Sequence, residues 1–336
     1  MSKPRIAVLL SKSRKTDCIS KEDFNRLTGF SEILYDDSET IAAERCVQLL
    51  QDVDACITGW GTPSFPEHSL DGASRLKLIA HSAGSVKALL ANVKDSIMQK
   101  NIIVTNAVVS LGIAVAEFTL GMILMTMKRA WWFSRLTSRG KWREQEEFER
   151  VKEPYGAFIG IIAASNVGRH LIRLLEPFDV TILVYDPYLS NKDAEGLGVR
   201  KVPLEELLRL SDVVSIHAPA TEQTRHMIRT KQLRLMKPGA ILVNTARGSI
   251  IHEDELIEEL ATGRITACLD VIDPEPPLPS SPLRQMPNVI LTPHIAGAAS
   301  ENRFRNGRYT IDDLEQYFRD GSVSHPVNFE HWDILA

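Results

Sequence analysis

Short, nearly continuous apolar runs recur along the chain: Ile6–Leu10, Ala55–Thr58, Leu78–Ala80, Ile159–Ile162, Thr181–Tyr185, Val213–Ile216, Ala240–Val243, Ala267–Leu269 and Val289–Leu291. None alternates with polar residues, as a strand with one wet face would, so each reads as a strand covered on both faces. The stretches between them carry apolar residues at helical spacing. The pattern predicts repeated βαβ units and therefore an α/β protein with parallel sheets. Between the third and fourth runs lies a long helical section, roughly Gly112 to Arg129, followed by the Trp-rich and charged segment Ala130 to Glu153. This break reads as a domain crossing, or as a face that packs on a partner subunit. The proline cluster from Asp273 to Pro282 must be an irregular loop, because proline lacks the amide donor of a helix or strand.

Composition narrows the class without naming a function. The chain has 336 residues, 44% apolar and 24% charged, enough for two domains with full cores. A formal charge of −4 gives no electrostatic reason to expect a nucleic-acid or membrane-surface partner, so the ligand is expected to be small. Cys18, Cys46, Cys56 and Cys268 show no metal-ligand spacing, and no metal is expected. IAVLL near the N-terminus is too short for a signal segment, and Phe118 to Met127 covers about half a membrane span, so a cytoplasmic location is expected.

Three polar residues stand out because each follows an apolar run: Arg247 in NTARG, Glu275 in LDVIDPEP and His294 in LTPHIAG. The carboxyl ends of parallel strands form the crevice where ligands bind in open sheets. A guanidinium can pair with a carboxylate in bidentate fashion, and an imidazole can exchange a proton near neutral pH. A carboxylate beside that imidazole would favour its charged form. Upstream, GIIAASNVGR reads as strand, turn and helix, with Ala163-x-Ser165-x-x-Gly168 where a dinucleotide site has GxGxxG. Ala163 and Ser165 are small enough to approximate the first two glycines, and the Ser165 hydroxyl could donate to a phosphate. Asp186, ending the next strand, would accept from ribose hydroxyls and repel a 2′-phosphate, favouring NAD over NADP.

Taken together, HSAGS, VTNA, VAEFTLGMIL, GIIAASNVGR, VYDPY, SIHAPATEQTRHMI, MKPGAILVNTARGSII, GRITACLDVIDPEP, NVILTPHIAG and HPVN resemble the D-isomer-specific 2-hydroxyacid dehydrogenase family. The resemblance implies two Rossmann-like domains, the coenzyme domain (107–298) inserted into a substrate domain built from 1–106 and 299–336. It implies NAD as cofactor, a small 2-keto or 2-hydroxy acid as substrate, and a homodimer. By position, His294 would be the acid/base, Glu275 its partner and Arg247 the substrate clamp, with the amides of Ala83 and Gly84 binding the substrate carboxylate. Ser165, Asn166, Val167, Gly168, Asp186, Ala218, Thr245, Ala246, Asp270, His294 and Gly297 would line NAD. Val86 stands where the family usually has an aspartate. The alternative is an NAD(H)-sensing protein of the same fold with little turnover, suggested by the altered AASNVG turn.

Overall fold

The computed structural model describes residues 3–297 and 300–334. The chain folds into two compact units: Met1–Leu111 with Ala298–Ala336, and Gly112–Gly297. The first division falls inside the helix Val108–Met127. The domain boundary expected at 298/299 lies outside the described residues.

The first unit holds a five-stranded parallel sheet of β1 (Arg5–Val8), β2 (Glu32–Tyr35), β3 (Ala55–Thr58), β4 (Leu78–His81) and β5 (Ile103–Asn106), in the order β2-β1-β3-β4-β5. The apolar pattern marked β1, β3 and β4 but missed the two edges. β2 is EILY with both ends exposed, and β5 is IVTN with both ends part-buried, so neither presents the uniform apolar run of a central strand. The closing HPVN pairs beside β5: the Asn106 amide donates to His325 O, and the Val327 amide donates to Val104 O (2.8 Å). Successive residues of β1 serve opposite faces. Ala7 joins a core with Leu50, Phe65 and Ile79, while Ile6 and Val8 join another with Leu27, Ile57 and Ile311.

The second unit holds seven parallel strands: β6 (Phe158–Ile162), β7 (Thr181–Tyr185), β8 (Arg200–Lys201), β9 (Val213–Ile216), β10 (Ile241–Asn244), β11 (Thr266–Leu269) and β12 (Val289–Leu291). Their order is β12-β11-β10-β9-β6-β7-β8, so the direction of winding reverses between β6 and β9. Ligands of open α/β sheets bind beyond the carboxyl ends of the strands at such a reversal. β8, two exposed residues at the edge, had no apolar signature.

Both faces of this sheet are covered. On β10, Leu242 enters one core with Ile162, Leu207 and Ile250, whereas Ile241 and Val243 enter the other with Ile161, Leu171 and Cys268. The helix Val108–Met127 covers the second face through Ala116, Met122, Ile123 and Met127. By length and composition it is also the one described helix that could cross a membrane, more than the half span expected from Phe118–Met127. Thr119 and Thr126 are buried along it with those apolar residues, while Met125 is exposed.

All four cysteines are buried and unpaired. Burial pushes their thiols up, Cys46 to about 11 and Cys268 to about 12.

Leu242 is fully buried at the centre of the larger sheet. Leu242→Ala is expected to destabilise the protein by about 2–5 kcal/mol, read as a lower midpoint in urea unfolding.

Candidate active site

Arg247, Glu275 and His294 follow β10, β11 and β12, three neighbouring parallel strands. The chain leaves each strand at its carboxyl end, which brings the three loops to one edge of the sheet. His294 Nδ1 donates to Glu275 Oε2 at 2.8 Å, and Glu275 Oε1 accepts from the amide of Ile272 at 3.2 Å. An ionised carboxylate only accepts, so this contact places the proton of a neutral imidazole on Nδ1 and leaves Nε2 for exchange. The His294 side chain is half exposed.

The His294 backbone has φ +53°, in the left-handed region that costs a non-glycine residue about 1–2 kcal/mol. Asp270 holds it there. Asp270 Oδ1 accepts from Thr292 Oγ1 (2.6 Å) and from the Ile295 amide (2.9 Å), and Oδ2 accepts from the Ala296 amide (2.9 Å). The carbonyl of Asp270 accepts from the His294 amide at 2.9 Å. The carboxylate expected to line NAD is therefore also the clasp of the loop that carries His294. Sequence reasoning missed this second role; the available signal was an acid directly after a buried strand, ahead of an irregular segment rich in free amides.

Arg247 is exposed, with Nη1 donating to Ala246 O at 2.7 Å. Its loop is shaped by Asn244, a fully buried residue that the sequence reading passed over as the end of an apolar run. Asn244 Nδ2 donates to Arg247 O (2.9 Å), and Oδ1 accepts from the Ala246 amide (3.1 Å). Gly248 comes next, and a Cβ there would run into the backbone of Ile272 and Asp273. Only glycine lets the Arg247 loop lie this close to the segment that leads to Glu275.

At the end of β6 the turn departs from a glycine-rich one in a measurable way. Ala163 has φ +75°, the conformation for which glycine is suited, so alanine fills the space but carries backbone strain. Ser165 caps the helix Asn166–Leu175, its Oγ facing the Gly168 amide at 3.4 Å. The hydroxyl expected to donate to a phosphate thus also serves as an acceptor inside the protein, with its own proton still available. A Cβ at Gly168 would meet the carbonyl oxygen of Ala163, which accounts for the retained third glycine. The amides of Asn166 and Val167 open the helix and have no intrahelical acceptor, the arrangement that favours a phosphate.

Asp186 follows β7, and both its oxygens are engaged: Oδ2 accepts from the Ala164 amide (2.9 Å) and Oδ1 from the Tyr188 amide (2.8 Å). A carboxylate has about four acceptor sites, so ribose hydroxyls can still be received by a side chain whose direction is already set. Ala218 follows β9 and is buried; the adjacent His217 bonds Ser215 Oγ at 2.9 Å through Nε2, and burial lowers its pKa to about 3. It is a packed, neutral histidine. Gly297 closes the described part of the loop after His294. These features fit a dinucleotide along the carboxyl edge of this sheet, and among the described residues no cluster of three or more His, Cys, Asp or Glu could hold a metal.

In the first unit, Ala83 and Gly84 follow β4. The Ser82 amide and hydroxyl both donate to Thr58 O (2.8 and 2.9 Å), and the Ala107 amide donates to Ala83 O (2.9 Å). Val86, where an aspartate was expected from the resemblance, is buried in the core with Phe65 and Leu90. The loop is anchored by apolar packing at that point.

The profile of the D-isomer specific 2-hydroxyacid dehydrogenase NAD binding domain matches residues 120–296. The chain is 33% identical over 300 residues to a glyoxylate reductase of Korarchaeum cryptofilum, covering 88% of this chain and 89% of that one. It is 32% identical to a D-3-phosphoglycerate dehydrogenase of Methanocaldococcus jannaschii over 86% of its own length, and spans about half the length of the phosphoglycerate dehydrogenases it matches. Among solved structures, the holo form of Rhodotorula graminis D-mandelate dehydrogenase superposes with a TM-score of 0.78 at 25% identity, covering 98% of each chain. The chain belongs to the D-isomer specific 2-hydroxyacid dehydrogenase family. Its cofactor is NAD, the ligand of the domain that the family profile matches.

Ala163→Gly should relieve the strain at the turn and stabilise the protein by roughly 0.5–1 kcal/mol, the left-handed penalty less the extra chain entropy of glycine. The check is a higher denaturation midpoint; an unchanged or lower midpoint would show that the turn is unstrained with alanine.

Proposed function

We propose that this chain is an NAD(H)-dependent oxidoreductase that interconverts a small 2-ketoacid and its D-2-hydroxyacid, working mostly as a reductase. The observation that carries the reading is the 2.8 Å pair of His294 and Glu275, on loops next to the one bearing Arg247. When bound, NADH supplies the hydride that reduces the ketone carbon. His294 Nε2 gives its proton to the ketone oxygen as negative charge develops there, and recovers one from the alcohol in the reverse direction. Glu275 holds Nδ1, which fixes the ring and keeps Nε2 as the nitrogen that exchanges the proton. Arg247 pairs with the substrate carboxylate and polarises the adjacent carbonyl. Asn166, Val167 and the Ser165 hydroxyl would receive the pyrophosphate, and Asp186 the ribose. Ala218, Thr245, Ala246, Asp270 and Gly297 are assigned to the remaining NAD contacts.

The proposed substrate is a small unphosphorylated acid such as glyoxylate or hydroxypyruvate, since the segment Trp60-Gly61-Thr62-Pro63 and Ser82 supply no basic cluster for a phosphate. A homodimer follows the family expectation and has local support. The helix Ala130–Ser138 carries two tryptophans and a phenylalanine yet buries none of its residues, and Trp142 and Tyr155 are 72% and 76% exposed. A second copy covering these faces should make the protein sediment at about twice 37.6 kDa; a monomer at micromolar concentration removes this assignment.

A second reading, an NAD(H) sensor with little turnover, draws on the strained Ala163 and the capping Ser165, which alter the phosphate turn. Absorbance at 340 nm separates the two. With NADH, and more slowly with NADPH, the protein should reduce at least one of glyoxylate, hydroxypyruvate, pyruvate, phenylpyruvate and 3-phosphohydroxypyruvate. His294→Gln should then lower kcat by about a thousandfold while leaving NADH affinity within about twofold. NADH binding without turnover on any acid selects the sensor, and an active His294→Gln variant sinks the assigned role of this histidine.

A further inference from the structure

The segment Thr245–Ala246–Arg247 carries groups assigned to both coenzyme and substrate, and one of its restraints comes from a helix with no assigned part in the chemistry. Thr119, fully buried in Val108–Met127, donates its hydroxyl proton to Val115 O at 2.7 Å. Its oxygen lies 2.9 Å from Thr245 Oγ1. A hydroxyl has a single proton, and that of Thr119 is already committed to a carbonyl that can only accept. The direction of the second bond is thereby fixed: Thr245 donates and Thr119 accepts.

Seven residues further along the same face, Thr126 Oγ1 lies 3.1 Å from Cys268 Sγ in β11. The two polar contacts meet the sheet two residues before Arg247 and two residues before Asp270. Apolar side chains surround both, and apolar contacts alone would let the helix slide or rotate by small amounts at little cost. A directional bond between buried hydroxyls does not, because the alternative is an unpaired donor in an apolar interior.

We infer that Thr119 is a positioning residue: through Thr245 it sets where the Thr245–Arg247 strap lies at the end of β10, and so the placement of the groups that meet NADH and the ketoacid. The strap is then held at both ends of its short course, Thr245 by Thr119 and the Arg247 carbonyl by Asn244. The bond direction adds that the Thr245 hydroxyl meets a ligand as an acceptor only.

This inference rests on the proposed oxidoreductase reading for its kinetic arm and on NAD binding alone for its other arm, so the two can fail separately. Thr119→Val keeps the shape and branching of the side chain but removes the acceptor; Thr119→Ser keeps the acceptor and the proton. NADH affinity would be followed by quenching of tryptophan fluorescence, and kcat and KM for the best ketoacid by absorbance at 340 nm. Each would be measured well below a melting temperature determined for the same variant. Thr119→Val should weaken NADH binding and raise the ketoacid KM, each by up to about tenfold, the worth of one buried hydrogen bond. Thr119→Ser should restore both to within about twofold of the parent. A lower melting temperature with unchanged NADH affinity and KM would reduce Thr119 to a packing role and overturn the inference. If the parent turns over no ketoacid, the oxidoreductase reading fails and the NADH titrations of the two variants still decide the role of Thr119. Should the valine variant not fold, Thr119→Ala removes the same acceptor without adding bulk, and is judged by the same two outcomes.

Discussion

The active end of the larger unit depends on one buried carboxylate. Asp270 is 2% exposed and accepts three hydrogen bonds there, two of them from the backbone that follows β12. A buried charge without such partners would cost several kcal/mol. With them, the cost becomes a constraint: the loop has no regular structure, and its amides converge on the acid instead. His294 is held by this convergence in a left-handed backbone conformation it would not adopt unaided, and its ring meets Glu275 as a result. Strain of this kind persists only where the surroundings over-determine it.

Ala163, directly after β6, and His294, three residues after β12, both occupy left-handed conformations, and they illustrate opposite uses of strain. At His294 the conformation points a reactive ring toward a partner and is clasped by Asp270. At Ala163 it forms the turn from β6 into the following helix, fixed by the Ala163 amide on Tyr185 O and by the close approach of Gly168. Nothing reactive is gained there. The turn geometry is demanded by the packing of helix on strand, and alanine bears it where glycine would be free of strain.

Most of the fold was legible because parallel strands buried on both faces leave continuous apolar runs, and β1, β3, β4, β6, β7, β9, β10, β11 and β12 were all marked by them. β2, β5 and β8 were not: all three are edge strands, which bury less and need no such run, although β12, at the other edge of the larger sheet, keeps one. The candidate site was legible where its chemistry lies in side chains that follow strands, as with Arg247, Glu275 and His294. It was not legible where a residue acts on the backbone of its neighbours. Asn244 and Asp270 shape their loops through amides and carbonyls, and nothing in residue type separates an asparagine that bonds two residues on from one in water. The strain at Ala163 was hidden for the same reason, since φ is a property of the turn rather than of the letter.

The burial of all four cysteines has a practical side. Each thiol sits in the core with its ionisation pushed upward, so the nucleophilic thiolate is scarce and out of reach at neutral pH. Maleimide and other alkylating reagents should therefore find the native chain almost inert. A cysteine introduced at an exposed position would react alone, which makes the parent sequence a ready background for attaching a spectroscopic probe to either unit without first removing its own thiols.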